Sequence, residues 1–402
     1  MNTATATEVR TIDPTRLGIS PWKSFKANPE DYFDKEEIAR SRRYVKPLRI
    51  ANVLRIAVNL AVDLAVIRTH AMPRLLNRLD LNNWVLEVFV VAAALLVIGL
   101  VVNTGFSWWQ SMVYDKKWEF STMTPATFFG DLGKSIGLGL VLNGIVFVLL
   151  WWIIRGTDLW WLFGWAALSA VSVGYAIVYL KLISPMFNKF KTLEDEELHA
   201  DLLAVAHGVG ADVSKVEVQD ASKRDKRSNA YVGGLGRTRR MVLFDNMLEW
   251  PKDEVRWVCA HEIGHWRRKH LLRMIPAVLA LQLVDFIALK LIFTNDAVLR
   301  FAGVKALGDP GAIPLFMFVF ALPGLVTGLA VAWVSRAHER DADLFGLEAV
   351  PDPEAAKASF KHLATDSLAD LTPSLWKRLN HSHPEVAERL AMIEEWDRRN
   401  AS

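Results

Sequence analysis

The 402-residue chain has little cysteine and little excess charge, and its first ten residues lack the apolar core of a signal peptide. Its one cysteine, Cys259, excludes an intramolecular disulfide. The formal net charge of +3 gives no reason to expect a nucleic-acid partner. Apolar residues, in contrast, make up 52% of the chain, and the mean hydropathy is +0.18. This composition is too apolar for an ordinary soluble enzyme of this size and predicts membrane spans.

Apolar runs long enough to cross a bilayer predict an all-α polytopic membrane protein with about six transmembrane helices. We expect spans near residues 50–67, 84–102, 135–154, 159–183, 274–293 and 312–334. Arg55 and Asp63 interrupt the first of these runs, so a helix lying on the membrane surface is an alternative there. Six spans would place most of the basic residues and the C-terminus on the cytoplasmic side.

The spans divide the chain into a membrane bundle and a soluble domain built from two separate segments. We expect a cytoplasmic N-terminal segment at 1–48, membrane regions at 49–185 and 272–335, and soluble segments at 186–271 and 336–402. In the first soluble segment we predict helices at 193–208 and 253–270, a strand at 215–219, and a hairpin of 228–232 with 240–244 joined by 233–237.

The most informative motif lies in the second of these helices and reads His261-Glu262-Ile263-Gly264-His265. Residues four apart share one helical face, so both imidazoles can reach one metal ion. Glu262 follows the first histidine, close enough to orient a metal-activated water and to pass its proton to a leaving amine. Two histidines with a glutamate base are the minimum for zinc-dependent peptide hydrolysis, so we expect one Zn²⁺ per chain.

A catalytic zinc ion usually has three protein ligands, and Glu339 is the best candidate for the third. It follows the last predicted span, in a stretch that is compatible with a helix. Asp343 comes one turn later on the same face and could accept a hydrogen bond from the nitrogen of His261 that does not bind metal. Taken alone, the two carboxylates would indicate only a solvated charged face. Two histidines that require a third ligand favour the metal site.

The C-terminal motif His381-Ser382-His383-Pro384, followed by Arg389, offers donors for an oxyanion. We expect His383 and Arg389 to take this catalytic role, and a surface loop with a helix start is the alternative interpretation. Ordinary surface or packing roles are expected for the other histidines, which lack a ligand-like partner: His70, His199, His207, His270, His338 and His362.

These motifs resemble the integral-membrane zinc metalloproteases of peptidase family M48, in the CAAX prenyl protease type 1 group. The resemblance runs from about Asp31 onward and also rests on Ser335-Arg336-x-x-Glu339-x-x-Ala342-Asp343 and Ser228-Asn229-Ala230-Tyr231. It implies a gluzincin-type domain with a small β-hairpin or sheet, and a helical bundle that encloses a chamber with the zinc site at its cytoplasmic end. It also implies that Asn229 and Ala230 bind the backbone of the substrate as an added strand.

Two features depart from that group. Its extra N-terminal span has no apolar counterpart in residues 1–48, and the tyrosine that usually follows the glutamate ligand is Arg340 here. The resemblance implies cleavage of prenylated CAAX peptides, as in eukaryotic members, whereas the richness in Ala, Val, Leu and Arg indicates a bacterial source without such substrates. We expect a peptide or protein substrate, prenylated or membrane-inserted, and a place in a bacterial inner or cell membrane with the active site facing the cytoplasm.

Two other functions remain open. An HtpX-type quality-control protease acting on damaged membrane proteins would use the same site. A non-catalytic membrane scaffold or channel with a structural metal site is the alternative outside the enzymes. Glu262 argues against that alternative, because a structural site needs no base beside its ligands.

Overall fold

The computed structural model describes residue 13, residues 16–233 and residues 239–401. Most of the predicted hairpin link, at 234–238, and the start of the predicted N-terminal segment therefore lie outside the described residues. The described helices are α1 Lys35–Arg68, α2 Ala71–Leu79, α3 Trp84–Trp108, α4 Asp115–Lys117, α5 Pro125–Gly156, α6 Trp160–Val178, α7 Ser184–Phe187, α8 Glu196–Gly208, α9 Lys252–Arg267, α10 His270–Ile292, α11 Asp296–Phe301, α12 Ile313–Ala349, α13 Pro353–Asp366, α14 Leu375–Asn380 and α15 Val386–Asn400. The strands are β1 Phe190–Thr192, β2 Lys215–Gln219, β3 Ala230–Gly233 and β4 Arg240–Phe244.

Five segments of the described chain are helical, long and apolar enough to cross a membrane. They are Lys35–Arg68, Trp84–Lys117, Pro125–Gly156, His270–Ile292 and Pro310–Ala349. They contain four of the six predicted spans, including the first, which the charged residues had left open, and all but the last residue of a fifth, 274–293. The remaining predicted span, 159–183, is helical over α6 and continues as a π turn at Tyr179–Ile183, but it is not among the five. The count of six therefore stays a prediction.

The six long helices form a closed ring. Each contacts the next in the order α1, α3, α5, α6, α10 and α12, and α12 returns to α1. Large side chains such as Trp151 and Phe286 fill one part of the bundle and are fully buried. Other apolar side chains point outward, and Val101 is 77% exposed. Apolar outer faces are what helices present to lipid, so the ring has the character of a membrane bundle.

Local capping signals set where the membrane helices begin. Asp34 and Glu37 form a reciprocal capping box at the start of α1. The side chain of Asn83 caps α3, and that of Thr124 caps α5, in which Pro125 occupies the first turn. These side chains satisfy N–H groups that have no partner within the helix, so the helices can begin just outside the apolar runs.

The soluble domain contains a four-stranded sheet in the order β1-β2-β4-β3. The β2–β4 pair is parallel and the other two pairs are antiparallel. The predicted strand at 215–219 and the predicted antiparallel pairing of the hairpin are both confirmed. Strand β3 is one of the two edge strands, and it contacts α9. The apolar core of this domain is formed by the sheet together with side chains from α8, α9, the end of α12, α13 and α15.

The predicted helix at 253–270 is wrong at its end. Helix α9 ends at Arg267, and Lys269 adopts a left-handed conformation with φ of 57° before α10 begins at His270. A left-handed residue cannot continue a right-handed helix, so the chain changes direction at this point. His270 consequently does not lie on the helical face that the sequence pattern predicted.

Helix α12 runs without interruption from the membrane region into the soluble domain. Its 37 residues correspond to a length of about 55 Å, whereas the apolar core of a bilayer is about 30 Å thick. The last part of α12 therefore projects beyond the membrane and packs against α9. This contact requires a small residue at Gly264, where a Cβ would lie 3.2 Å from the Ala342 carbonyl oxygen and 3.0 Å from the Phe345 ring.

Replacing Gly264 with valine should therefore separate α9 from α12. We expect a loss of about 1–3 kcal/mol in the free energy of unfolding, the usual cost of forcing extra volume into a packed contact. The unfolding midpoint in detergent is the measurement. Gly208→Val is the matched control, because a Cβ at this helical glycine would meet nothing within 4 Å. Equal shifts for the two variants would contradict the packing argument.

Candidate metal centre

Helices α9 and α12 bring three potential ligands together. The Nε2 atoms of His261 and His265 lie 3.1 Å apart. From α12, Glu339 places Oε1 3.3 Å from Nε2 of His265 and Oε2 3.6 Å from Nε2 of His261. The predicted ligand set thus combines two neighbouring histidines with a glutamate that lies 74 positions after the second of them.

The spacing of these atoms fits a zinc ion. Tetrahedral zinc with bonds of about 2.0–2.1 Å requires ligand atoms about 3.3 Å apart. The closest separations between the three side chains, 3.1, 3.3 and 3.6 Å, lie around that value, and Glu339 approaches His265 with Oε1 and His261 with Oε2. Two imidazoles and one carboxylate are also a common donor set for catalytic zinc, because they leave a fourth position for water.

A buried ion pair supports His261 from behind. Its Nδ1 lies 2.8 Å from Oδ1 of Asp343, which is completely buried. Arg389 donates from Nε to Oδ2 of Asp343 at 2.8 Å and from Nη2 to Oδ1 at 2.5 Å. Burial alone would lower the pKa of His261, but its bonds to Asp343 and Glu339 raise it to about 10. The raised pKa favours a proton on both ring nitrogens of His261. A metal ion that binds Nε2 therefore displaces the proton from that nitrogen.

Glu262 and His383 also border the centre, each beside a different ligand. Oε1 of Glu262 lies 3.9 Å from Nε2 of His261, and its partly enclosed position raises the pKa of Glu262 to about 7. His383, in the loop before α15, places Nε2 3.5 Å from Oε1 of Glu339, and its side chain is 52% exposed. His383 thus faces an accessible part of the centre, whereas Arg389 is buried and engaged by Asp343.

His270 and Asp341 lie beside the centre, although no sequence motif predicted a role for either residue. His270, expected to have an ordinary role, places Nδ1 3.0 Å from Nδ1 of His265. Its Nε2 lies 2.8 Å from Oδ2 of Asp341, and its side chain is only 4% exposed. The only available clue was a second aspartate, Asp341, between Glu339 and Asp343.

The two predicted substrate-binding residues lie at the outer edge of the sheet. The Asn229 carbonyl accepts the N–H of Phe244 at 2.9 Å, which ties this residue to β4. In an antiparallel ladder alternate residues point the other way, so the backbone groups of Ala230 and Val232 face outward. The Asn229 side chain already accepts the N–H of Ala230 at 2.9 Å. The outward side of β3 is thus a polar backbone edge beside α9.

Arg340, the departure from the family pattern, is buried and ties the N-terminal segment to the centre. Its Nε donates to Oε1 of Glu388 at 2.8 Å, and Nη1 donates to the carbonyl of Pro21 at 3.2 Å. Arg340 follows Glu339 in the chain, and Glu388 precedes Arg389. The segment around Pro21 is therefore anchored to Arg340, the residue next to the ligand Glu339.

A two-histidine, one-glutamate cluster with an adjacent carboxylate, held at the end of a membrane bundle, defines an integral-membrane metalloprotease. Comparison with known families agrees. A family model described as "Peptidase family M48" matches residues 192–397, and one described as "CAAX prenyl protease N-terminal, five membrane helices" matches residues 23–189. The chain belongs to peptidase family M48, and the resemblance inferred from its motifs is confirmed.

Individual relatives cover nearly the whole chain. CAAX prenyl protease 1 of Saccharomyces cerevisiae is 30% identical, over 91% of this chain and 87% of the yeast protein. The CAAX prenyl protease 1 homolog of Arabidopsis thaliana is 27% identical, over 98% and 93%. The crystal structure of S. mikatae Ste24p superposes with a TM-score of 0.83 at 25% identity, covering 95% of this chain and 94% of that one. The protein is therefore a metalloendopeptidase of the CAAX prenyl protease 1 type.

The buried pair of Asp343 and Arg389 gives a prediction for the metal-free protein. Arg389→Met should lower the free energy of unfolding by about 3–5 kcal/mol, because it leaves a buried carboxylate without its partner. Asp343→Asn should also be destabilising. The double variant should lose much less than the sum of the two, as measured by denaturant unfolding in detergent. Additive losses would show that the two side chains are not coupled.

Proposed function

We propose that this membrane metalloprotease is zinc-dependent and cleaves an extended peptide laid along β3. The observation that carries the proposal is the cluster of His261, His265 and Glu339, whose ligand atoms, one from each residue, lie within 4.8 Å of one another, with Glu262 beside them. His261, His265 and Glu339 would hold the ion. Zinc, when bound, supplies Lewis acidity at the scissile carbonyl and lowers the pKa of a bound water towards neutrality.

The other residues of the centre then have distinct roles. Glu262 takes the proton of the attacking water and delivers it to the leaving amine, and its raised pKa of about 7 suits both steps. His383 is exposed enough to reach a substrate and donates to the oxyanion. Arg389 was also expected to do so. Its contact with Asp343 favours a role in holding His261 in place instead.

The outer edge of β3 is the binding surface that we assign to the peptide. An added antiparallel or parallel strand would hydrogen-bond to the outward groups of Val232 and to the carbonyl of Ala230, while the Asn229 side chain, which accepts the Ala230 N–H, lies at the same edge. The contact of β3 with α9, the helix that carries the metal motif, supports this assignment. Binding through the backbone selects an extended conformation more than a particular sequence.

We assign the centre to the cytoplasmic side of the membrane, in the bacterial cell membrane that the composition suggests. The basic residues in the first part of α1 and those that follow α3 support this orientation. The substrate class follows from the location, since a site at the end of α12 meets peptides that are anchored in or close to the membrane. Both prenylated peptides and unmodified membrane-protein segments fit this description.

Glu262→Gln is the first test of the proposal. We expect cleavage to fall by at least about 100-fold, because the variant lacks a proton acceptor for the water. Zinc content, measured by elemental analysis, should remain at one ion per chain. Glu254→Gln on the same helix is the control, because Glu254 contacts His362 at 2.9 Å and not the centre.

The assay should contain a farnesylated CAAX peptide and an unmodified fragment of a membrane protein. Unchanged cleavage of both by Glu262→Gln would reject the enzyme mechanism. Cleavage of the unmodified fragment alone by the wild-type protein would reject a role specific for prenylated substrates.

The edge of β3 gives a second prediction. Val232→Pro removes one outward N–H, and proline is tolerated on the open side of an edge strand. We expect KM to rise about 2- to 10-fold with kcat little changed, because one hydrogen bond to bound substrate is lost. Val232→Ala, which keeps the N–H, serves as the control. An unchanged KM for the proline variant would place the substrate elsewhere.

A further inference from the structure

We propose that His270 and Asp341 are positioning residues for the metal ligand His265. The three side chains form one hydrogen-bonded chain, from His265 Nδ1 to His270 Nδ1 at 3.0 Å and from His270 Nε2 to Asp341 Oδ2 at 2.8 Å. The inference rests on the proposed zinc site, and it assigns a function to a histidine that its sequence context left without one.

The direction of the hydrogen bonds follows from the chemistry at the two ends. If His265 binds metal through Nε2, its proton is on Nδ1, and that N–H must donate. Nδ1 of His270 is then the acceptor, so the proton of His270 is on Nε2. This second N–H points at Asp341, whose ionised carboxylate only accepts. A single tautomer at each histidine therefore satisfies every group in the chain.

The two ligand histidines are supported in parallel ways by the same helix. His261 reaches Asp343 directly, at 2.8 Å. His265 lies one turn further along α9 and is more exposed, and it reaches Asp341 only through His270. Helix α12 thus supplies the third ligand and, within four residues, the carboxylates that orient both of the other ligands.

The local backbone is arranged so that His270 can take this place. A continuous helix would direct residue 270 about 140° away from residue 265. The left-handed conformation of Lys269 instead turns the chain, and His270 becomes the first residue of α10. The imidazole of His270 is buried and stacks on that of His338, with ring centroids 4.3 Å apart. Packing therefore holds His270 in the orientation that the hydrogen bonds require.

The test compares His270→Phe, His270→Asn and His338→Phe in the full-length protein. Phenylalanine keeps the aromatic packing but leaves the His265 N–H without an acceptor. We expect zinc affinity, measured by competition with a chelator, to fall about 10- to 100-fold, the usual effect of losing the partner of a ligand histidine. Asparagine can present an oxygen near the position of Nδ1 and should restore most of the affinity. His338→Phe keeps the stacked ring and should bind zinc like the wild type.

Asp341→Ala provides a second variant if His270→Phe does not fold. It leaves both histidines in place and should weaken zinc binding by a smaller factor, because only the end of the chain is lost. The absorption bands of the cobalt-substituted protein should shift in both variants, since the orientation of His265 changes. Affinities and spectra that match the wild type in both variants would overturn the proposal.

These measurements separate this inference from the proposed function. A fall in zinc affinity together with absence of peptide cleavage in the wild type would support the positioning role while rejecting the proposed reaction. Normal cleavage by the wild type with unchanged zinc affinity in the His270 variants would support the proposed reaction and reject the positioning role.

Discussion

The close packing of α9 against α12 is the contact on which the rest of the centre depends. Helix α9 supplies two ligands and Glu262, and α12 supplies Glu339 and both orienting carboxylates. Neither helix holds a complete site. The distance between their axes is kept short by Gly264, which lies between the two histidines of the motif. This glycine therefore serves the metal geometry through packing, although it cannot contact the ion with a side chain.

The centre also concentrates negative charge in a buried place. Glu262, Glu339, Asp341 and Asp343 lie within one small region, and Arg389 is the cation that contacts two of them. Without a metal, this charge is offset by Arg389 and by the protonated ring of His261, whose pKa is raised to about 10 by its bonds to Asp343 and Glu339. A divalent ion at the centre takes over the place of that proton. Metal binding and stability of the soluble domain are consequently linked, as in other sites assembled from distant segments.

The sequence predicted the parts of this structure that have local signals. The metal motif has helical spacing, Glu339 and Asp343 are one turn apart, and the apolar runs have the length of a bilayer. The role of His270 could not be predicted, because it depends on a single left-handed residue at Lys269 that no turn-forming side chain marks. The ring of six helices depends on contacts between distant segments of the chain, and the periodicity of apolar residues does not predict such contacts. Arg340 was recognised as unusual, but its partner Glu388 is 48 residues away.

Because α12 is one continuous helix, its membrane-spanning half is rigidly connected to the half that carries Glu339. Pro323, inside the membrane half, lacks the N–H that would complete its turn, so it is the natural pivot of this helix. Glu339 lies 16 residues beyond it, a lever arm of about 24 Å. A tilt of about 5° at the pivot would displace the carboxylate by about 2 Å, the length of a metal–ligand bond. The position of the third ligand therefore depends on the direction of the membrane half of α12 as well as on the packing of its last part against α9.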